Sequence, residues 1–159
     1  MKQKVYIETS VVSYLSGRLS RDVVIVGRQE ITREIWPLLI QRFDCYISVL
    51  VREEVERGDP EAASNRLATL AGMTSLGTSD ETRDLAKAMI QNKLMPSRFA
   101  EDALHIAIAA ANGMDYILTW NFRHINNVQT KVMIESFLES CGYEPPLVCS
   151  PEELFGELP

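Results

Sequence analysis

Apolar residues along the chain follow two patterns, short continuous runs and longer stretches that repeat every three to four positions. The short runs are KVYIE, DCYIS, MTSL, DYILTW and PLVCS, and their length and β-branched or aromatic content predict β-strands. The longer repeats between them predict amphipathic helices. Strands that alternate with helices predict an α/β fold, a three-layer α/β/α sandwich around a short parallel central sheet.

Local signals predict where some helices begin and break. Asp59 before a proline predicts an N-cap, and Pro37 predicts a kink or a split in the helical region of residues 20–43. Ser97 predicts the N-cap of the helix in RFAEDALHIAIAAANG, which would place Asp102 in the second turn, where the helix dipole is weak.

Composition adds the cellular setting. The length of 159 residues suits one compact domain, residues 1–159. Cys45, Cys141 and Cys149 are odd in number, widely spaced and without a CxxC pair, so we expect free thiols that are buried or half-buried. The N-terminus lacks an apolar leader, and no apolar run approaches the roughly 20 residues of a membrane span. We therefore expect a soluble, cytoplasmic protein with no membrane partner.

The distribution of charge excludes a wide basic surface. The net charge is −6; residues 1–60 hold nine basic and nine acidic residues, whereas residues 61–159 hold seven and thirteen. A nucleic acid would therefore need a local arginine cluster or bound cations that mask the acids.

Polar side chains follow two of the predicted strands. Glu8 ends the first strand, and Thr119 and Asn121 follow the strand YIL. Ligands of parallel α/β folds bind at the carboxyl ends of strands, so these residues mark a candidate site. After the second strand, a helical wheel places Glu54 on the apolar arc, unlike Glu56. A buried carboxylate needs a positive partner, and a metal ion is the obvious one.

With these residues in view, the stretches VYIETSVVSYL, YISVLVREEVERG and EDALHIAIAAANGMDYILTWNFRHI resemble PIN domains, most closely the VapC-type toxins of bacterial toxin–antitoxin pairs. The resemblance covers nearly the whole chain. It implies an α/β/α domain whose acidic residues hold Mg²⁺ or Mn²⁺ and hydrolyse RNA. The acidic positions of the family fall on Glu8, Glu54, Asp102 and Asn121, of which the first three would be the metal ligands.

Two of these positions depart from the usual family pattern. Glu8 stands where aspartate is common and is one methylene longer, and Asn121 stands where an acid is common and offers only a neutral oxygen. Ser10 and Thr119 are the expected hydroxyl partners of the carboxylates. The ion would activate a water for in-line attack, which would leave a 5′-phosphate and a 3′-hydroxyl.

Several residues have a plainer interpretation. Asp102 could be a solvated edge residue, and Asn121 could serve a turn or an N-cap. His105 and His124 are more typical of structural hydrogen-bond donors than of catalytic groups. Arginines near the first two helices could lie on a solvated face or contact RNA phosphates, namely Arg18, Arg21, Arg28 and Arg33, of which the last three are the candidates for RNA contact.

Two functions from different classes follow. The first is a metal-dependent endoribonuclease, the toxin of a pair with a cognate antitoxin. The second is a degenerate PIN module that binds RNA or a protein and has lost activity through Glu8 and Asn121. A DNA-directed 5′-nuclease is a weaker third. The resemblance also implies a homodimer, which is compatible with the apolar residues of EITREIWPLLI.

Overall fold

The computed structural model describes residues 1–157 and has a parallel sheet at its centre. In this part of the chain the sheet has five strands in the order β3-β2-β1-β4-β5. The strands are β1 (Lys4–Ile7), β2 (Asp44–Ser48), β3 (Thr74–Leu76), β4 (Tyr116–Leu118) and β5 (Leu147–Cys149). From β1 the chain adds β2 and then β3 on one side of the sheet. It then crosses back and adds β4 and β5 on the other side of β1. The carboxyl end of β1 is therefore the switch point at which such folds form a crevice.

Eight α-helices connect and cover these strands within residues 1–157. They are α1 (Thr9–Ser16), α2 (Val23–Arg42), α3 (Val49–Val55), α4 (Pro60–Thr69), α5 (Asp80–Gln91), α6 (Ala100–Ala111), α7 (Val128–Ser140) and α8 (Pro151–Phe155). Helix α1 contacts α2, α3 and α4, while α5 packs on α6. Right-handed crossovers place these two groups on opposite faces of the sheet, so the predicted three-layer α/β/α sandwich is confirmed.

The sheet is buried on both faces, as its continuous apolar strands predict. Val5, Tyr6 and Ile7 of the central strand are fully buried, and so are Ile117 and Leu118 of the neighbouring strand. This burial fixes the sheet rigidly, so the polar residues that follow the strands have defined positions. No helix in residues 1–157 is both long enough and apolar enough to cross a membrane.

Three local expectations need correction. Pro37 does not split α2, which continues to Arg42; the proline is exposed, so water can satisfy the carbonyl that it leaves unpaired. Cys141 is exposed rather than buried. Ser97 begins a single 3₁₀ turn, and α6 starts only at Ala100 with Phe99 as its N-cap.

Candidate metal centre

Glu8 lies where β1 meets α1, and neighbouring groups hold its carboxylate. The residue is the N-cap of α1 and only 5% exposed. Its Oε2 accepts hydrogen bonds from the Ser10 backbone N–H at 3.0 Å, from the Ser10 hydroxyl and from Thr119 Oγ1 at 2.9 Å. No donor in residues 1–157 is bonded to Oε1, so that oxygen remains available to a ligand.

The backbone that follows β4 is joined to the same hydroxyls. Trp120 donates its backbone N–H to Ser10 Oγ at 2.9 Å, and Asn121 donates its own to Thr119 Oγ1 at 3.0 Å. Ser10 and Thr119 therefore connect the ends of β1 and β4 while they orient Glu8.

Glu54 reaches the same region from α3. Its side chain is 19% exposed, whereas Glu53 and Glu56 are exposed, as the helical wheel predicts. Its Oε1 accepts a hydrogen bond from Thr9 Oγ1 at 2.9 Å and another from His105 Nε2. Within the described residues its Oε2 has no hydrogen-bond donor.

His105 connects Glu54 to buried residues of the core through hydrogen bonds. The ring is fully buried, and its Nδ1 lies 2.6 Å from the Tyr6 hydroxyl, which lies 2.8 Å from Ser48 Oγ. Ser48 caps α3 by accepting the Val51 N–H at 3.2 Å. A row of hydrogen bonds thus runs from Glu54 to the start of its own helix.

Asp102 lies in the first turn of α6, not in the second, because the 3₁₀ turn delays the helix start. It is half-buried, and its Oδ1 lies 3.5 Å from Asn121 Nδ2. The preceding acid, Glu101, is exposed and pairs with both terminal nitrogens of Arg57 at 3.1 and 2.8 Å. The two acids therefore face different surroundings, as the sequence predicts.

Asn121 serves the turn that follows β4. Its Oδ1 accepts the backbone N–H groups of Arg123 at 3.2 Å and His124 at 3.1 Å, while its amide nitrogen faces Asp102. The carbonyl oxygen that a metal would need is thus already engaged in the turn.

The three carboxylates act on one another electrostatically. Burial raises the pKa of Asp102 to about 6, and the negative charges of Glu8 and Glu54 add to this effect. Burial alone would also raise the pKa of Glu54, but the hydrogen bond and the charge of His105 lower it below its ordinary value. Burial alone would lower the pKa of His105, but the bond to Glu54 and the nearby acids raise it. A protonated His105 donates from both ring nitrogens, which satisfies Glu54 and Tyr6 together.

These groups suit a divalent cation in their chemistry. Hard ions such as Mg²⁺ prefer carboxylate oxygens, and two or three suffice because several waters stay bound. Glu8, Glu54 and Asp102 each keep one oxygen without a hydrogen-bond donor in residues 1–157. The charges of Glu8 and Glu54 raise the pKa of Asp102. No three His, Cys, Asp or Glu side chains of that segment are arranged to hold one ion together. The metal ligands therefore stay a prediction.

The candidate arginines differ in their surroundings. Arg33 is held by the carbonyl of Gly17 at 3.0 Å and by Glu30 at 3.5 Å. Arg21 is exposed near the start of α2. Arg28 lies over the ring of Phe122, with its guanidinium carbon 4.9 Å from the ring centroid. Of the three, Arg28 lies beside the residues that follow β4.

Some members of the site were not found from the sequence. Thr9 and Tyr6 received no role, and His105 was interpreted as a structural donor without a named partner. Two signals were available: Thr9 adjoins Glu8, and the three-residue spacing of Asp102 and His105 places them on one side of α6.

Comparison with known proteins gives structural matches only. No protein-family profile and no curated protein sequence matches the chain. The structure of VapBC2 from Rickettsia felis, bound to a promoter DNA fragment, is 14% identical with a TM-score of 0.59, covering 93% of this chain and 98% of that chain.

Two further structures agree with it. A toxin–antitoxin complex from Klebsiella pneumoniae is 17% identical with a TM-score of 0.55, and covers 79% of this chain and 93% of that chain. VapC20 of Mycobacterium tuberculosis, a sarcin–ricin loop cleaving toxin, is 14% identical with a TM-score of 0.57. The match covers 87% of this chain and 95% of that chain. The chain therefore has the PIN-like fold of these toxin–antitoxin structures.

Proposed function

We propose that this protein is a metal-dependent endoribonuclease that uses Mg²⁺ or Mn²⁺. What supports the proposal is that Glu8, Glu54 and Asp102 each hydrogen-bond a residue that follows β1 or β4, and that the charges of the first two raise the pKa of the third. Clustered carboxylates repel one another, which is unfavourable unless a cation joins them. The fold shared with VapC20, a sarcin–ricin loop cleaving toxin, supports RNA as the substrate.

The proposed chemistry assigns a task to each residue. A bound divalent ion would activate a water for in-line attack on the phosphodiester, giving a 5′-phosphate and a 3′-hydroxyl. Ser10 and Thr119 hold Oε2 of Glu8 and leave Oε1 free for the ion. Thr9 and His105 hold Oε1 of Glu54 in the same way and leave Oε2 free. Because the pKa of Asp102 is raised to about 6, its part in metal binding should weaken as the pH falls below that value.

We further propose that the protein is a toxin with a cognate antitoxin, since the matched structures include VapBC and toxin–antitoxin complexes. Residues 1–159 would form one cytoplasmic domain that pairs as a homodimer. The segment EITREIWPLLI supports a dimer less than its sequence suggests, because Ile35 and Leu39 are buried in the core. Ile40, at 44% exposure, is its exposed large apolar side chain.

The first test is cleavage of structured and unstructured RNAs, with single-stranded DNA of matched sequence as a second substrate. We expect RNA cleavage in Mn²⁺ or Mg²⁺, none in EDTA, and a loss of at least about 100-fold for Asp102→Asn. The matched control is Glu101→Gln, which removes the adjacent exposed acid and should cleave as the wild type does.

The alternative is a degenerate PIN module that binds RNA or a protein. The state of Asn121 favours it, because this neutral residue replaces an acid and its carbonyl oxygen is engaged in a turn. Absence of cleavage by the wild type, with no Mn²⁺ binding in calorimetry, would support this alternative and reject the nuclease.

A further inference from the structure

Phe122 is the one exposed aromatic side chain in residues 1–157. It is 38% exposed, whereas the other phenylalanines, tyrosines and tryptophans of this segment are buried or half-buried. It follows Asn121 directly and makes an edge contact with Trp120, the centroids lying 6.1 Å apart. Part of this aromatic ring is therefore open to solvent in the segment that follows β4.

Arg28 covers part of this ring. Its guanidinium carbon lies 4.9 Å from the Phe122 centroid and 5.6 Å from that of Trp120, within the range of cation–π contact. No carboxylate in residues 1–157 lies within 4.0 Å of this guanidinium, whereas Arg33 on the next turn is paired with Glu30. Stacking uses the face of a guanidinium, so its N–H groups remain free to donate in the ring plane.

The residues next to these two side chains connect them to the carboxylates. Trp120, which Arg28 also overlies, donates its backbone N–H to the Ser10 hydroxyl that is bonded to Glu8. Asn121, which directly precedes Phe122, has its amide nitrogen 3.5 Å from Asp102 Oδ1. The aromatic ring and the unpaired cation therefore adjoin Trp120 and Asn121, the two residues that connect this region to Glu8 and to Asp102.

The arrangement is held from beneath by buried hydrogen bonds. Trp120 is buried and donates from Nε1 to Thr32 Oγ1 at 2.8 Å, and the same hydroxyl donates to the Arg28 carbonyl at 2.6 Å. The Trp120 ring, which Arg28 and Phe122 contact, is thus fixed before any ligand arrives. This lowers the entropic cost of binding.

From these contacts we propose that Arg28 and Phe122 form a subsite for one nucleotide of single-stranded RNA beside the cleaved phosphodiester. The base stacks on the exposed part of Phe122, and a phosphate accepts N–H groups of Arg28. The assignment of RNA rests on the proposed function above. It deepens that function by requiring an unpaired nucleotide next to the cleavage position, because a base inside a duplex offers no free face.

The test measures binding of fluorescent single-stranded RNA by anisotropy in Ca²⁺, with a gel to confirm that the RNA stays intact. We expect Arg28→Gln and Phe122→Leu each to weaken binding about five- to tenfold, and Phe122→Tyr to restore it because the ring is kept. Arg42→Gln is the matched control, since Arg42 overlies Phe155 at 6.0 Å near the other end of α2, about 21 Å away along the helix. It should bind as the wild type does.

A scan with abasic nucleotides identifies the stacked base. When the abasic position reaches the subsite, the wild type should bind no better than Phe122→Leu, and at other positions the difference should persist. Unchanged affinity for both Arg28→Gln and Phe122→Leu, in proteins with wild-type unfolding midpoints, would overturn the subsite even if the protein cleaves RNA. Weakened binding in a protein that cleaves nothing would keep the subsite and reject the nuclease.

Discussion

Asp102 is the residue at which stability and the proposed chemistry oppose each other. Its carboxylate is half-buried near the negative charges of Glu8 and Glu54, so its ionised form is unfavourable in the metal-free protein. Such a residue is retained when its charge serves a function, since stability alone would favour a neutral side chain.

We therefore predict that Asp102→Asn stabilises the metal-free protein. The pKa rises from 3.8 in the unfolded chain to about 6 in the folded one, so the native state binds more protons between these values. The wild type then loses stability as the pH rises from about 4 to about 6, and the variant does not. At pH 7 in EDTA the gain should be about 1 kcal/mol after allowance for solvent screening, and it should vanish at pH 4.

Urea unfolding at several pH values measures this difference. Addition of Mn²⁺ should reverse the order at pH 7, because only the wild type gains binding energy from the ion. Equal stabilities at pH 7 in EDTA would contradict the repulsion that the structure indicates.

The sequence predicts single residues when their environment is local. The helical wheel alone distinguishes Glu54 from Glu56, because burial in a helix follows its period. The partner of Glu54 could not be predicted, since His105 lies 51 positions away and only the packed fold brings them together. The predicted position of Asp102 in the second turn of its helix was wrong, because a 3₁₀ turn separates Ser97 from α6. Capping signals do not resolve a difference of one turn.

At the scale of elements, a buried hydroxyl of α2 holds Trp120, which follows β4. Thr32 is fully buried and accepts the indole N–H of Trp120, which is itself buried. We predict that Thr32→Val, which keeps the shape, lowers the free energy of unfolding by about 1–3 kcal/mol because it leaves a buried donor unsatisfied.

Chemical denaturation measures this loss against a matched control. Thr69→Val removes a hydroxyl that donates at 2.7 Å to a carbonyl of its own helix, which needs no long-range partner. That change should cost less than about 1 kcal/mol, so an equal loss in both variants would reject the special role of Thr32.

Elements were easier to predict than their arrangement. The strands from β1 to β5 and most helix starts follow from apolar runs and capping residues, such as Asp59, which accepts the Ala62 N–H at 2.9 Å. The prediction that Pro37 splits the helix was wrong, because tertiary packing of Thr32, Ile35 and Leu39 holds α2 together across the proline. The order of strands was not predicted, since apolar runs do not encode which neighbours pair.

At the scale of the whole molecule, the acidic balance limits how RNA binds. The net charge is −6, and Arg21 and Arg28 are the candidate arginines whose guanidinium groups have no carboxylate within 4.0 Å in residues 1–157. We predict a shallow dependence of RNA affinity on salt, with a slope of about −1.4 for two phosphate contacts at about −0.7 each.

Titrations of RNA at increasing KCl and constant Ca²⁺ measure this slope. Arg28→Gln should reduce its magnitude by about 0.7, whereas Arg42→Gln should leave it unchanged. A wild-type slope steeper than about −4 would indicate a broad basic surface and contradict the charge distribution.

The burial of His105 also gives the protein an internal spectroscopic probe. Its ring is fully enclosed, and both nitrogens are hydrogen-bonded, so its N–H protons should exchange slowly with water and resonate far downfield in a proton NMR spectrum. The chain has one other histidine, His124, which is partly exposed and should not give such a signal. A cation that binds Glu54 would shift the His105 resonance. Binding of a cation by Glu8, Glu54 and Asp102 can therefore be followed without substrate, label or mutation.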